Sequence, residues 1–328
     1  MIEKLIQEDT YIELDELLAP NIYLKIEGLN PAGSIKLKTA LSIVADLERR
    51  NLITANTRLV ESSSGNLGVA LAMVCAERGY KFMCVVDPNI TAQNKKLMLA
   101  LGAEVVSINK KDENGGYLFS RIRFIENLVA ENPDYIWLNQ YKNPANPAAH
   151  YHATATAIAN KFPHIDYLFV GVGTTGTLMG CKAFFADYRP ETKVIAVDSV
   201  GSVIFGSPGP RYIPGLGTSR RPELFDPAGI HAFVCVPEAR AITMCRWLAQ
   251  RYGILLGGST GTVVAGVQAW ADNILPDDVV VAISPDMGER YIDTIYSDDW
   301  VAAHFGSDAL QPPAVYSPLV SSERAVEA

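Results

Sequence analysis

An α/β protein built on parallel sheets is the fold class predicted for these 328 residues, and three observations predict it. Strand-like runs alternate with amphipathic helix-like runs over most of the chain, the order expected of βαβ units. Several strand-like runs are apolar throughout, as expected when helices cover both faces of a sheet. The length corresponds to about two domains and is enough to bury a core without disulfides or metals.

The elements follow in order. Ile22–Ile26 reads as a strand that ends in the turn Asn30-Pro31-Ala32-Gly33, and a helix begins near Lys36 and continues amphipathically through 38–50. A strand at 57–61 runs through Ser62-Ser63-Ser64-Gly65 into a helix at 69–78. Lys81–Val86, 104–108 and 135–139 are the next strands. The apolar run 167–170 is closed by Gly171-Val172-Gly173, and 193–198 is a further strand. Ala232–Val236 precedes a helix at Glu238–Tyr252, and 279–283 is the last strand. Residues 311–328 hold Pro312, Pro313 and Pro318 among small and polar residues and read as a mobile tail.

Composition removes several classes of function. Apolar residues are 48% of the chain, so it is not a disordered one. A formal charge of −8 with no basic block lacks the footprint of a nucleic-acid binder, and anionic membranes are poor partners for the same reason. The apolar run 67–75 is too short to span a bilayer. The N-terminus lacks the cationic-then-apolar order of a signal peptide, so a cytoplasmic protein is expected. Cys75, Cys84, Cys181, Cys235 and Cys245 are scattered, form no C-x-x-C, and read as reduced thiols, mostly buried. His150 and His152, two apart, fall on different helical faces. No H-E-x-x-H, zinc ligand set or G-x-S-x-G elbow occurs, and no metal is expected.

Four turns carry candidate chemistry. In Asn30-Pro31-Ala32-Gly33-Ser34-Ile35-Lys36 a lysine falls in a first helical turn. The positive end of the helix opposes its charge and lowers its pKa, which suits an amine that forms a Schiff base. The plain alternative is a solvated helix lysine. Glu61-Ser62-Ser63-Ser64-Gly65-Asn66 presents hydroxyl and backbone donors at a helix start, able to hold a carboxylate or phosphate; an ordinary N-cap is the alternative. Gly171-Val172-Gly173-Thr174-Thr175-Gly176-Thr177 contains G-x-G-x-x-G after an apolar strand, and Asp198 lies 22 residues beyond Gly176, the spacing of a dinucleotide fingerprint. Its three threonines suit a terminal phosphate monoester, so the loop points to phosphate more firmly than to a particular phosphate. Gly257-Gly258-Ser259-Thr260-Gly261 is a further turn into a helix, weak on its own.

Taken in this order and spacing, the four motifs resemble those of the pyridoxal-phosphate enzymes of the cysteine synthase and cystathionine β-synthase family. The resemblance covers roughly residues 10–300. It implies the tryptophan synthase β-like fold (fold type II), with two parallel-sheet α/β lobes and pyridoxal 5'-phosphate as cofactor. Residues 31–138 would form a smaller mobile lobe that closes over the substrate. Residues 1–30 plus 139–310 would form the larger cofactor-binding lobe, in a homodimer. The stretches Gly115-Gly116-Tyr117-Leu118, Asn139-Gln140-Tyr141, Gly201-Ser202-Val203-Ile204-Phe205-Gly206, Pro214-Gly215-Leu216-Gly217-Thr218-Ser219-Arg220 and Arg290-Tyr291-Ile292-Asp293 resemble one branch. That branch consists of O-phosphoserine-using synthases of N-(2-amino-2-carboxyethyl)-L-glutamate, which supply 2,3-diaminopropionate to siderophore and peptide-antibiotic pathways.

The resemblance implies roles residue by residue. Lys36 would carry the cofactor and act as general base. Asn66 would meet the ring hydroxyl, Gly173, Thr174, Thr175, Gly176 and Thr177 the phosphate, and Ser259 the pyridine nitrogen. Ser63, Ser64 and Gln140 would cradle the substrate carboxylate. Arg121, Tyr141 and Thr174 would handle the phosphorylated side chain, with Ser202, Ser219 and Arg220 as candidate acceptor contacts. The implied reaction is β-replacement on O-phospho-L-serine through an aminoacrylate, with L-glutamate as nucleophile. The alternatives are a cysteine synthase using O-acetylserine or O-phosphoserine, a serine or threonine dehydratase, an NAD oxidoreductase and a partner-binding pseudo-enzyme. The chain departs from the family at Leu37 and Lys38, where Asp and Arg are usual, and at Leu67, where sulfhydrylases carry threonine.

Overall fold

The computed structural model describes residues 1–15, 17, 21–113 and 115–311. Apart from Gln311, the expected tail lies outside the described residues. The chain runs β1 (Tyr11–Glu13), β2 (Ile22–Ile26), α1 (Lys36–Arg49), β3 (Arg58–Ser62), α2 (Asn66–Arg78), β4 (Lys81–Val86), α3 (Ala92–Ala100), β5 (Glu104–Ser107), α4 (Leu118–Glu131) and β6 (Tyr135–Trp137). It continues through α5 (Ala145–Ala149), a π-helical turn (His150–Ala155), α6 (Thr156–Lys161), β7 (Tyr167–Gly171), α7 (Gly176–Tyr188) and β8 (Lys193–Ser199). The remaining major elements are β9 (Ala232–Val236), α8 (Glu238–Tyr252), α9 (Gly258–Ala269), β10 (Val280–Ser284) and α10 (Asp298–Phe305).

Two sheets result, in an α/β fold. One has the strand order β5-β4-β3-β6, and the other β1-β2-β10-β7-β8-β9. Every pairing is parallel except β1 with β2. The apolar runs are explained by coverage on both faces. In β7, Tyr167 and Phe169 enter one core and Leu168 and Val170 the other; in β10, Val280 and Ala282 divide from Val281 and Ile283 in the same way. In β3, Leu59 and Val60 likewise face opposite sides. Each such buried side chain stabilises the fold by roughly 1.5–3 kcal/mol relative to exposure. β1 was not expected; it is a three-residue antiparallel edge without an apolar run.

Lys25 is fully buried in β2. Its ammonium donates to the Glu8 carbonyl, lies 3.6 Å from Glu27 and stands 4.9 Å over the Tyr11 ring. Lys38 joins the same cluster, 2.7 Å from Glu27 and 2.6 Å from Glu8. Leu37, by contrast, is fully buried in the core between α1 and α2. Leu37 and Lys38, two of the three residues that depart from the family pattern, are thus held by packing and an ion cluster, which ties α1 to β2. Four cysteines are buried, Cys235 is half-buried, and all five are free thiols. Burial pushes Cys75, Cys84, Cys181 and Cys245 up to about 12, so they are inert as thiolates at neutral pH. Among the described residues no helix is long and apolar enough to cross a membrane, and no cluster could hold a metal ion.

Candidate active site

Three of the motif turns lie where the parallel strands β2, β3 and β7 end and a helix begins, the usual place for ligands in such sheets, and the fourth joins α8 to α9. After β2, Asn30 staples the turn: its Nδ2 donates to the carbonyls of Glu27 (2.8 Å) and Ser34 (2.9 Å), and its Oδ1 accepts from Ala32 N (3.0 Å). Gly33 has a φ of +65°, a conformation that glycine adopts without strain. Ile35 N donates to Pro285 O at 2.7 Å, so the start of α1 is fastened to the end of β10. Lys36 is the first residue of α1. Its pKa is lowered chiefly by burial, against the raising effect of the Asp286 charge. The direction is the one expected from the helix end, and its cause is desolvation.

The hydroxyl loop after β3 is shaped by a buried acid. Glu61 accepts from Ser62 N (2.7 Å) and Gln140 N (3.1 Å), and burial pushes its carboxyl up to about 7. Gln140 Nε2 donates to Ser62 O at 3.1 Å, which brings Gln140 to this loop. Ser63 Oγ accepts from Gly65 N and Gly68 N and caps the start of α2. Ser64 Oγ accepts from Asp87 N (3.0 Å) and from Arg121 Nη1 (3.3 Å). Asp87 holds the other Arg121 terminal nitrogen at 3.3 Å.

The loop between β7 and α7 contains a conformation rare for its residue type. Thr175 has a φ of +66° although it is β-branched, and its buried Oγ1 has no hydrogen-bond partner among the described residues. Backbone strain and an orphaned hydroxyl at a helix N-terminus together point to a ligand with several acceptor oxygens. A Cβ at 173 would lie 2.9 Å from Gly215 O, and one at 176 would lie 2.1 Å from Asn146 Oδ1. Asn146 Nδ2 donates to Thr174 Oγ1 at 3.3 Å, and Thr177 Oγ1 pairs with His150 Nε2 at 3.3 Å. His150 is fully buried and kept neutral mainly by that burial, with the charges of Lys36 and Lys38 adding to it.

One cleft collects these parts. It is partly open to solvent. Lys36, Asn66, Gly173, Thr174, Thr175, Gly176, Thr177 and Ser259 all line it. Ser63, Ser64, Arg121 and Gln140 instead gather at the hydroxyl loop. Tyr141 is covered by the Arg220 guanidinium, 5.8 Å from its ring centre. Arg220 pairs with Glu223, and Ser219 Oγ accepts from Arg211 Nη2 at 3.0 Å. Ser202 is buried, its Oγ accepting from Thr218 N (3.2 Å) and Ile204 N (3.4 Å), so its hydroxyl is engaged inside the loop. Asp198, the acid of the dinucleotide spacing, does not line the cleft; it accepts from Ser199 N at 2.8 Å, and burial pushes it up to about 6.

Sequence reasoning missed Asp286, which lines the cleft, and gave no role to Tyr291, whose hydroxyl donates to Asp286, or to Arg290, which donates to Asn66. The available signal was a polar residue just past the carboxyl end of an apolar strand.

The family model of pyridoxal-phosphate dependent enzymes matches residues 7–286. Among solved structures, O-ureido-L-serine synthase is similar at 34% identity and a TM-score of 0.82, over 92% of this chain and 98% of that one. The O-acetylserine dependent cystathionine β-synthase of Helicobacter pylori is similar at 28% identity and 0.84, over 90% and 98%. A hydrogen sulfide-producing enzyme of Fusobacterium nucleatum is similar at 29% identity and 0.82, over 89% and 99%. The residues present fit the cofactor: a desolvated primary amine, and lining the same cleft a helix N-terminus with an unpartnered hydroxyl for a phosphate. The four motif turns, their convergence on one cleft and the match over most of the chain therefore agree, and the chain belongs to the pyridoxal-phosphate dependent enzymes, with the tryptophan synthase β-like fold.

Proposed function

We propose that this enzyme catalyses β-replacement on O-phospho-L-serine, with the amine of L-glutamate as nucleophile, giving N-(2-amino-2-carboxyethyl)-L-glutamate and phosphate. The product would feed 2,3-diaminopropionate synthesis for siderophore or peptide-antibiotic pathways. The observation that carries the reading is Arg121, held by Asp87 with its guanidinium 3.3 Å from Ser64 Oγ. A planar guanidinium matches phosphate oxygens in pairs and favours their departure as a dianion. Similarity to enzymes named for O-ureido-L-serine and for cystathionine supports chemistry at the β-carbon of a serine derivative.

In this reading Lys36 would hold the cofactor's aldehyde carbon, Asn66 its ring hydroxyl, the loop 173–177 its phosphate and Ser259 its pyridine nitrogen. Pyridoxal phosphate, when bound, supplies an electron sink that acidifies the α-proton of an attached amino acid and lets a β-substituent leave. Burial favours the uncharged amine of Lys36, which takes that proton as general base. Ser259 offers a neutral hydroxyl, which unlike a carboxylate does not hold a ring nitrogen protonated. The hydroxyl loop and Gln140 orient the substrate carboxylate, and Arg121 receives the leaving phosphate. The reading includes a homodimer, a cytoplasmic location and closure of residues 31–138 over the larger lobe.

Arg121→Met tests it. The kcat/KM for O-phosphoserine should fall about 10–100-fold, from the loss of a charge-assisted contact, while turnover of O-acetylserine changes little. An equal fall with both donors would overturn the role of Arg121. A second reading, replacement by sulfide or a thiol, is favoured by the similarity to the cystathionine β-synthase and the hydrogen sulfide-producing enzyme; it predicts sulfur in the product.

A further inference from the structure

We propose that Asp286 is a positioning residue of the cofactor site, acting through the amide of Asn66. The inference rests on the reading that Asn66 meets the cofactor. Asp286 is the one carboxylate among the described residues lining the cleft, and it is only 2% exposed. A buried carboxylate is unfavourable unless its partners make use of it. Its backbone is fixed from two sides: Asp286 O accepts from Gly257 N (3.0 Å), and the next residue, Met287, donates to Gly33 O (3.1 Å). The chain approaches so closely that a Cβ at position 257 would lie 2.1 Å from Asp286 Oδ1.

The side chain faces Asn66 from the other sheet. Asp286 Oδ2 accepts from Asn66 Nδ2 at 2.8 Å and also from the Tyr291 hydroxyl. On the opposite edge of the same amide, Arg290 Nη1 donates to Asn66 Oδ1 at 2.7 Å, while Arg290 Nη2 donates to Ala32 O at 2.7 Å. The two ends of an asparagine amide are nearly equal in shape and opposite in hydrogen-bonding character. An acceptor at one end and an obligate donor at the other therefore decide which way the amide points. The flipped amide would set Oδ1 against the Asp286 oxygen and Nδ2 against the Arg290 N–H groups. Asp286 and Arg290 thus select one orientation of a side chain contributed by α2, although both come from the segment after β10. With Asn66 Nδ2 and the Tyr291 hydroxyl both donating to Oδ2, the proton of a neutral acid would sit on Oδ1, and Oδ2 would still accept. Asp286 Oδ1 has no partner among the described residues.

The test is a double-mutant cycle on the dissociation constant of pyridoxal phosphate from the apoenzyme, read by fluorescence titration. Asp286→Ala and Asn66→Ala should each weaken binding about tenfold or more, the scale of one lost hydrogen bond to a charged group. In the Asn66→Ala background, Asp286→Ala should add less than about threefold, because the residue it positions is gone. Asp286→Asn, which keeps an acceptor for Asn66, should restore most of the affinity. Thermal unfolding of each apoenzyme checks that the fold is retained; if Asp286→Ala does not fold, Arg290→Met is carried through the same cycle with the same expectation. Equal weakening by Asp286→Ala in both backgrounds would show a structural role and overturn the proposal. Weak binding by Asn66→Ala with unchanged binding by Asp286→Ala would overturn it alone. Unchanged binding by Asn66→Ala would overturn it together with the reading beneath it.

Discussion

Lys38→Ala unbalances the buried cluster that fastens α1 to β2. The native cluster holds two cations, Lys25 and Lys38, against two anions, Glu8 and Glu27. Lys38 Nζ lies 2.7 Å from Glu27 Oε2 and 2.6 Å from Glu8 Oε2, with Thr154 Oγ1 at 3.4 Å. The Glu27 side chain is 1% exposed and after the substitution keeps Lys25, 3.6 Å away. Removing one member of a buried pair costs about 3–5 kcal/mol, because the remaining charge stays desolvated. Glu8 adds little, since its side chain is 39% exposed. An unfolding entropy of about 2.1 cal/mol/K per residue over 328 residues turns that loss into a midpoint lowered by about 4–7 °C. Scanning calorimetry of the cofactor-loaded enzyme reads it. Adding Glu27→Gln to Lys38→Ala restores one cation against one anion and should recover at least half of the loss. A Lys38→Ala midpoint within 1 °C of wild type, or a double variant less stable than the single, would refute this account of the cluster.

Two further predictions follow from the loops. Glu61 has its pKa raised to about 7, so between its unfolded value near 4.5 and pH 7 the folded chain keeps a proton that the unfolded chain has lost. By linkage the Glu61 contribution falls as pH rises through that window. The wild-type midpoint should therefore drop relative to that of Glu61→Gln between pH 5 and pH 8, and a constant difference would contradict the assignment. Gly176→Ala places a Cβ 2.1 Å from Asn146 Oδ1, and Asn146 cannot retreat freely because its Nδ2 donates to Gln140 O at 2.8 Å. Overpacking of about 1–3 kcal/mol at the start of α7 should weaken pyridoxal phosphate binding roughly tenfold; unchanged affinity in a fluorescence titration would contradict it.

Much of this architecture was legible because coverage on both faces makes strands apolar runs. Ile22–Ile26, Lys81–Val86 and Ala232–Val236 have the expected bounds. Where a polar residue lies at a strand end, the bounds shift: 57–61 becomes Arg58–Ser62, and 135–139 stops at Trp137 because Asn139 takes a φ of +46°. The eight residues expected to meet the cofactor share one cleft, and each could be singled out because it belongs to a turn with its own local pattern. Asp286 has no such pattern. Its partner Asn66 is 220 residues away, and only the folded chain brings the two together. Lys38 is similar: next to Lys36 it reads as a departure from the family, and its reason lies in Glu27 and Glu8 on other segments. Burial, too, is a property of the whole fold, which is why the lowered pKa of Lys36 is legible in the sequence in direction while its cause, desolvation, is not.

The most direct test of the central claim is to give the cofactor-loaded enzyme O-phosphoserine with equal concentrations of L-glutamate and sulfide, and to weigh the products by mass spectrometry. The account predicts N-(2-amino-2-carboxyethyl)-L-glutamate and phosphate in equal amounts. Cysteine as the main product, or pyruvate with no acceptor incorporated, would contradict it.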